Sequence, residues 1–177
     1  MSTLSVGSDK SEPPRVRKRL RLVLDLGTAP GPTDLACRTA AASDKESLAA
    51  LMLDAYHGTV DYEGEVLDDA LREIGHVFSG YYGRFLPDCS FVVVGGAELS
   101  SACLVILLNE GKPDETPLLA FAMTRKQYQH RGLASALIRR SAAALSELGY
   151  SRLSLAVTAD NAPARRLYER LGFRSQE

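Results

Sequence analysis

The chain has 177 residues, of which 45% are hydrophobic and 24% charged, the balance expected of one folded domain with a proper core. Its formal net charge is -1 and no apolar run approaches the about 18–20 residues of a membrane span, so nucleic-acid and membrane partners are disfavoured and a cytoplasmic protein is the simplest interpretation. The three cysteines are widely spaced and the three histidines lack HxxxH spacing, which argues against a disulfide framework and against a bound metal.

The first 19 residues are predicted to form a flexible basic arm ahead of one domain that spans residues 20–177. The arm is rich in serine and ends in a basic run that comprises Arg15, Arg17, Lys18 and Arg19. A solvated tail is the favoured interpretation, because so polar a segment cannot bury a core. An accessory contact with nucleic acid is the alternative, disfavoured because no aromatic residue is interleaved there to stack on bases.

The N-terminal half is predicted to contain four strands and two helices. The strands are Leu20–Leu26, Ala36–Ala40, Phe91–Val94 and Leu99–Leu108. Ser43-Asp-Lys-Glu46 is a capping-box pattern and predicts a helix from about Asp44 to Tyr56. A second helix is predicted from Val66 to Ile74, with Gly75 as its C-terminal cap. The last two strands form a hairpin through Gly95-Gly96, and the second of them is apolar on both faces, which predicts a central position.

The C-terminal half alternates strand and helix twice. The predicted elements are the strand Leu118–Thr124, the helix Gly132–Leu148, the strand Arg152–Thr158 and a helix that starts at Asn161 and ends at Gly172. Strands joined by a helical crossover are parallel neighbours, whereas the hairpin is antiparallel. The predicted fold class is therefore α/β (α+β), with a mixed central β-sheet flanked by helices.

The turn between the strand Leu118–Thr124 and the next helix has the features of an anion site. A helix N-terminus exposes unpaired backbone N–H groups, and the helix dipole favours a bound phosphate there. Gly132 and Ala134 are small, so an extended ligand can approach the main chain closely, and Arg131 adds a positive charge.

The same turn matches a family signature. Gln129-His130-Arg131-Gly132-Leu133-Ala134 fits the Q/R-x-x-G-x-G/A pattern of the GCN5-related N-acetyltransferase (GNAT) superfamily. A second family motif follows at the expected distance: Leu153 to Asn161, then Ala164, Leu167, Tyr168 and Leu171-Gly172-Phe173. The resemblance covers residues 36–174, and on both motifs together the chain is identified as a member.

The resemblance implies a single-domain GNAT fold in which two splayed parallel strands form a slot for acyl-CoA. It implies acetyl-CoA as cosubstrate, no metal, and direct attack by a primary amine in a ternary complex. It assigns cofactor contacts to Ala122, Met123, Thr124, Gln129, His130, Arg131, Gly132, Leu133, Ala134 and Asn161. Asn161 is also a candidate helix cap, and Tyr168, implied as the acid that protonates the leaving thiolate, is alternatively a core aromatic.

The family motifs do not specify the acceptor or the general base, so both are predicted from nearby charged residues. In GNAT folds the connection between the first two helices borders the acceptor side, and Asp61, Glu63 and Glu65 there predict a cationic amine, such as a cationic small molecule or a lysine. The alternative is that these acids are only solvated surface. The strand Leu118–Thr124 contains no carboxylate, so the base is left open among Glu63, Glu65, His57 and Asp160.

Two alternatives stay open at this point. One is transfer of another acyl group or to another nucleophile; the other is a non-catalytic acyl-CoA-binding sensor or interaction module. Many relatives continue with a strand after the Gly-Phe pair, but only four residues follow Phe173 here. That strand is expected to be very short, to be supplied by another subunit of a homodimer, or to be replaced by the strand Leu20–Leu26.

Overall fold

The computed structural model describes residues 16–176 of the chain. The helices are α1 (Lys45–Tyr56), α2 (Leu67–Ser79), α3 (Leu133–Glu147) and α4 (Ala162–Arg170). The strands are β1 (Arg19–Asp25), β2 (Arg38–Thr39), β3 (Arg84–Phe85), β4 (Phe91–Gly95), β5 (Glu98–Leu108), β6 (Thr116–Thr124), β7 (Arg152–Thr158) and β8 (Arg174–Ser175). Most of the predicted arm lies outside the described residues, and its last residue, Arg19, already belongs to β1. Across residues 16–176, each helix is too short or too polar to cross a bilayer.

All eight strands form one mixed sheet in the order β2-β4-β5-β6-β7-β1-β8, with β3 paired to β5. The β6–β7 pair is parallel because α3 crosses over between them, and the other pairs are antiparallel. The predicted mixed sheet and the hairpin of β4 and β5 are therefore confirmed.

The sheet separates two apolar cores, one on each face. α3 packs on the first core, which includes Leu137 and Phe173, and α1 and α2 pack on the second, which includes Leu51 and Ile74; each of these side chains is fully buried. Successive residues of β5 alternate between the two cores, since Cys103 and its i+2 neighbours face the first and the residues between them face the second. The predicted central position of this strand is confirmed.

The edge of the sheet beyond β7 is completed by both ends of the domain. β1 pairs with β7 along its whole length, from Arg19↔Thr158 to Asp25↔Arg152. β8 is only two residues long and pairs with the middle of β1 at Leu22↔Ser175. The last strand is thus very short, and the strand at the start of the domain takes the place beside β7.

The start of α1 differs from the prediction. Ser43 does not cap the helix; it lies in a short 3-10 turn, and α1 begins at Lys45. Asp44 is held instead by Arg38, whose two guanidinium nitrogens each donate to the Asp44 carboxylate at 2.8 Å, while the Ala41 N–H donates to it at 2.9 Å. A bidentate, charge-assisted pair is stronger than a serine hydroxyl bond. Those hydrogen bonds from Arg38 hold the pKa of the Asp44 carboxyl below its usual range.

The end of α2 also differs. The helix continues through Gly75 to Ser79, and Gly80, with φ of 78°, is the C-terminal cap. Ile74 and Val77 are both fully buried in the second core. Burial of such side chains contributes about 1.5–3 kcal/mol each, which outweighs the roughly 1 kcal/mol that a glycine costs inside a helix. The predicted strand at Ala36–Ala40 is reduced to Arg38–Thr39.

Candidate active site

β6 and β7 separate after a single bridge and leave a slot between them. Leu118 pairs with Ser154, and no further bridge joins the two strands among the described residues. On its other side β6 pairs with β5 through Phe121↔Leu104 and Leu119↔Val105, so Ala120 between them is a bulge. A bulge bends a strand and strengthens its twist, which turns the end of β6 away from β7.

The slot opens into a cleft of about 300 Å³. Its walls come from β6, β7, α2, α4, the end of α1 and the connection between α1 and α2. Residues of the second motif therefore meet the acidic connection in this cleft, although about 100 positions separate the two segments in the chain.

The alternation of β6 decides which main-chain groups face the slot. The Arg125 N–H donates to the Ser100 carbonyl at 2.9 Å, so Arg125 faces β5, and Met123, two residues earlier, does the same. Ala122 and Thr124 therefore point their N–H and C=O groups toward the slot. Met123 has a fully buried side chain and contributes to the wall only through the strand it belongs to.

The turn after β6 presents a row of free amides. The N–H groups of residues 130–135 donate to no protein acceptor within the described residues, and the first helical bond of this region runs from Ala136 N–H to the Gly132 carbonyl. His130 and Gly132 have φ of 61° and 76°, which turns the chain so that these amides point outward. A Cβ on Gly132 would have no neighbour within 4 Å, so the space in front of the turn is open.

Two side chains of the turn form hydrogen bonds to nearby backbone carbonyls. The Gln129 amide donates to the Thr124 carbonyl at 3.3 Å, and the Arg131 guanidinium donates to the Gln127 carbonyl at 3.2 Å. The Arg131 guanidinium also lies 5.2 Å from the centre of the Tyr128 ring. Arg131 stays exposed, which leaves its remaining donors available beside the free amides.

Two tyrosines, Tyr56 and Tyr168, line the cleft. Tyr168 packs edge-on against Phe173, with ring centres 5.6 Å apart, and its hydroxyl has no hydrogen-bond partner within residues 16–176. Burial, and then the nearby Tyr56, raise the pKa of Tyr168 well above its ordinary value, so the hydroxyl is protonated at neutral pH. Burial also raises the pKa of Tyr56 to about 12. Sequence reasoning missed Tyr56, because the last residue of an amphipathic helix carries no distinguishing signal.

Asp61 joins the acidic connection to the second motif. Its carboxylate accepts hydrogen bonds from the Thr158 hydroxyl at 2.5 Å and from the Asn161 side-chain amide at 2.8 Å. The Asn161 side-chain oxygen accepts from the Ala164 N–H at 3.2 Å, which confirms the predicted helix cap. The connection is therefore fastened to the end of β7 and the start of α4.

The other predicted acceptor residues have different positions. Glu65 lines the cleft, although one of its oxygens accepts from the Glu63 N–H at 2.8 Å. Glu63 is outside the cleft wall, with its side chain 68% exposed and 3.9 Å from Arg17. The wall gains Asp69 and Glu73 from α2. Their i, i+4 spacing predicts one shared face, but nothing in the sequence says that this face meets the cleft.

The four candidate bases differ in whether they line the cleft. Of these, Glu65 lines the cleft, whereas His57 packs against the Tyr62 ring, 4.9 Å between centres, and Asp160 is exposed in the turn after β7. Within residues 16–176, no group of three or more His, Cys, Asp or Glu side chains is arranged to hold a metal ion.

Comparison with known proteins agrees with this geometry. The Acetyltransferase (GNAT) family matches residues 60–173, and the chain belongs to that family. No curated protein sequence matches the chain. A GNAT-family protein from Novosphingobium aromaticivorans is 25% identical with a TM-score of 0.63; the alignment covers 90% of this chain but only 60% of that one, less than two thirds of its length.

Two further solved structures share the fold at lower identity. The ribosomal-protein-S18-alanine N-acetyltransferase from Escherichia coli is 20% identical, with a TM-score of 0.60, covering 80% of this chain and 79% of that one. The aminoglycoside 6'-N-acetyltransferase AAC(6')-IG from Acinetobacter haemolyticus is 13% identical, with a TM-score of 0.61, covering 81% of this chain and 93% of that one. The single-domain GNAT fold is confirmed.

Proposed function

We propose that this protein transfers an acetyl group from acetyl-CoA to a primary amine that carries positive charge. The observation that carries the proposal is the slot between β6 and β7. It begins beside a turn of free amides, runs along exposed main-chain groups of β6, and ends in a cleft that holds Tyr168 and four carboxylates. Family membership supports the same class of reaction.

The residues of the turn fit the pyrophosphate of acetyl-CoA. The free amides of residues 130–135 and the N-terminal dipole of α3 would hold its two phosphates, with Arg131 beside them. Gln129 braces this turn, while Leu133 and Ala134 begin α3 behind it. The open space in front of Gly132 is where the ligand would pass.

The pantetheine arm would extend β6 as an added strand. The outward N–H and C=O groups of Ala122 and the outward N–H of Thr124 would pair with its amides, whereas the Thr124 carbonyl already accepts from Gln129. Met123 holds β6 against β5 between them. Asn161 lies at the opposite wall, where one of its two amide hydrogens remains after the bond to Asp61.

Acetyl-CoA would supply a thioester, whose carbonyl carbon the acceptor nitrogen attacks as the carbon–sulfur bond breaks. Tyr168 would give its hydroxyl proton to the departing sulfur, because burial keeps the hydroxyl protonated. An N–H group of Ala122 or Thr124 would stabilise the charge that develops on the carbonyl oxygen, worth about 2.7–4 kcal/mol for one such donor. Glu65 is the candidate base in the wall and would take the amine proton directly or through water.

The charge of the cleft supports a cationic acceptor. Among residues 16–176, the charged side chains that line it are Asp61, Glu65, Asp69, Glu73 and Arg19. Asp69 is also paired with Arg72, so the excess negative charge rests mainly on the other three acids. Glu63 lies just outside and would add to the same negative potential at the entrance. The two named relatives act on amines of very different size, a ribosomal protein and aminoglycosides, so the family supports an amine but not one particular acceptor.

The test is release of free CoA thiol from acetyl-CoA with a panel of polyamines, aminoglycosides, lysine peptides and neutral amines of similar size. We expect turnover that favours the cationic amines and that falls with salt, since exposed charges are screened beyond about 8 Å at physiological ionic strength. Thermal stabilisation by acetyl-CoA without thiol release from any amine would identify a non-catalytic acyl-CoA-binding module instead.

A further inference from the structure

A second groove lies on the far side of α4, between that helix and the edge strands β1 and β8. Its volume is about 720 Å³. Leu20 and Leu22 form an apolar floor, and Leu22 is 5% exposed. Around the floor stand four arginines and one acid: Arg165, Arg166, Arg170, Arg174 and Glu169.

Hydrogen bonds hold two of the arginines in place. Arg165 donates to the Ala159 carbonyl at 3.1 Å and lies 3.8 Å from the Glu169 carboxylate. Arg174 donates to the carbonyls of Phe173 at 2.9 Å and Glu169 at 3.1 Å. A guanidinium carries five N–H donors, so both retain donors for a ligand. Because their positions are already restricted, binding would cost less side-chain entropy.

The other two arginines form no ion pair within residues 16–176. Arg166 and Arg170 are exposed and lie four positions apart, which places their side chains next to each other on one face of α4. The helix dipole accounts for a cation at Arg170, in the last turn, but not for Arg165 and Arg166 in the first half of the helix. The groove therefore concentrates more positive charge than the helix itself requires.

We propose that this groove binds an acidic segment of a partner protein. Its carboxylates would pair with Arg166 and Arg170, and one apolar side chain would cover Leu20 and Leu22. The nine residues of α4 span about 13.5 Å, the length of roughly four extended residues. A nucleic acid fits less well, because Phe173, the aromatic residue of the groove, is fully buried and offers no surface for a base.

The groove is separate from the candidate active site. Ala164 and Tyr168, on the opposite face of α4, line the cleft, whereas Arg166 and Arg170 do not. The inference therefore does not depend on the proposed acetyl transfer, and the two fail independently.

The experiment uses the full chain and a fluorescent octapeptide of glutamate and leucine, with binding followed by anisotropy. The parent protein is expected to bind it, more weakly as salt rises. The double variant Arg166→Glu/Arg170→Glu is expected to lose about tenfold or more in affinity, and Arg166→Gln/Arg170→Gln an intermediate amount. The control Lys112→Glu/Arg152→Glu makes the same charge change at exposed positions outside the groove and is expected to stay within about twofold of the parent.

Three results would overturn the inference. Equal binding by the groove variant and the control would remove the groove from the interaction. Tighter binding of an oligouridine of similar charge, with the same dependence on Arg166 and Arg170, would make the occupant a nucleic acid. Loss of thermal stabilisation by acetyl-CoA in the groove variant, with its own melting temperature unchanged, would assign these arginines to the cofactor site.

Discussion

Asp61→Asn tests whether the connection between α1 and α2 is fastened to the second motif as described. In the parent, the Asp61 carboxylate accepts from Thr158, 3% exposed, and from Asn161 at the start of α4. Hydrogen bonds to a charged group contribute about 1.5–3 kcal/mol each. An asparagine can still accept from one partner, but its own amide then faces a donor. We expect the free energy of unfolding to fall by about 1.5–3 kcal/mol, since one charged bond is lost.

A double-mutant cycle with Thr158→Val isolates this interaction. Valine keeps the branched shape of threonine and replaces the hydroxyl by a methyl group, which can neither donate nor accept a hydrogen bond. Urea denaturation of the parent, both single variants and the double variant gives the coupling free energy, which we expect to be about 1 kcal/mol or more because the two groups are in direct contact. Hydrogen exchange should quicken in residues 57–66 of Asp61→Asn, because the connection opens locally more easily.

Glu63→Gln is the matched control. Glu63 belongs to the same connection, but its side chain is 68% exposed and 3.9 Å from Arg17. Exposed pairs of this kind contribute about 0–1 kcal/mol, so stability should change little. If the effects of Asp61→Asn and Thr158→Val on the free energy of unfolding are additive, or if Asp61→Asn and Glu63→Gln have equal effects, the hydrogen bonds of Asp61 do not hold the connection in place.

Three other predictions concern the proposed chemistry and the pH dependence of stability. Tyr168→Phe should lower kcat by about 10²–10⁴-fold with acetyl-CoA affinity kept, as measured by thiol release and thermal shift; unchanged kcat with chemistry rate-limiting would make Tyr168 a packing residue. Acetyl-CoA at 100 times its Kd should stabilise the parent by about 2.7 kcal/mol, and Gly132→Glu, which puts bulk and negative charge before the free amides, should abolish this shift. The pKa of Asp44 is lowered in the folded protein, so its stabilisation is present above the unfolded value of about 3.9 and is lost as pH falls through the folded value. Asp44→Asn should therefore destabilise the protein at pH 7 and flatten the acid limb of its stability curve, whereas an unchanged limb would exclude the Arg38 pair as the cause.

Local patterns were enough to predict the elements that position the slot. The strand β5, apolar on both faces, was predicted to be central, and it is. The small residues after β6 predicted a turn at the start of α3 where a ligand can approach the backbone, and the structure has that turn. These inferences need no knowledge of distant contacts. The family resemblance added the roles proposed for Tyr168 and Asn161, which periodicity alone does not supply.

The features that the sequence did not predict depend on contacts between residues far apart in the chain. Asp61 accepts a hydrogen bond from Asn161, although 100 positions separate them in the chain, and no sequence pattern near either residue predicts this contact. In the sequence, Tyr56 is only the last residue of a helix, but in the fold it lines the cleft together with residues of β7 and α4. Gly75 taken alone predicts the end of a helix, but α2 continues to Ser79 because burial of Val77 stabilises the additional turn. In each case tertiary packing outweighs or creates what local propensity indicates.

The position of β1 beside β7 also has a consequence for synthesis. Arg19 contacts the Ala156 carbonyl 137 positions later, so the first strand leaves the ribosome long before its partner exists. At about 5–20 residues per second, it waits roughly 7–27 s unpaired. Its exposed edge could pair with another nascent chain during this time, but the alternating arginines carry charges that discourage such aggregation. We expect charge-neutralising substitutions in β1 to lower the yield of folded protein before they change the stability of what folds.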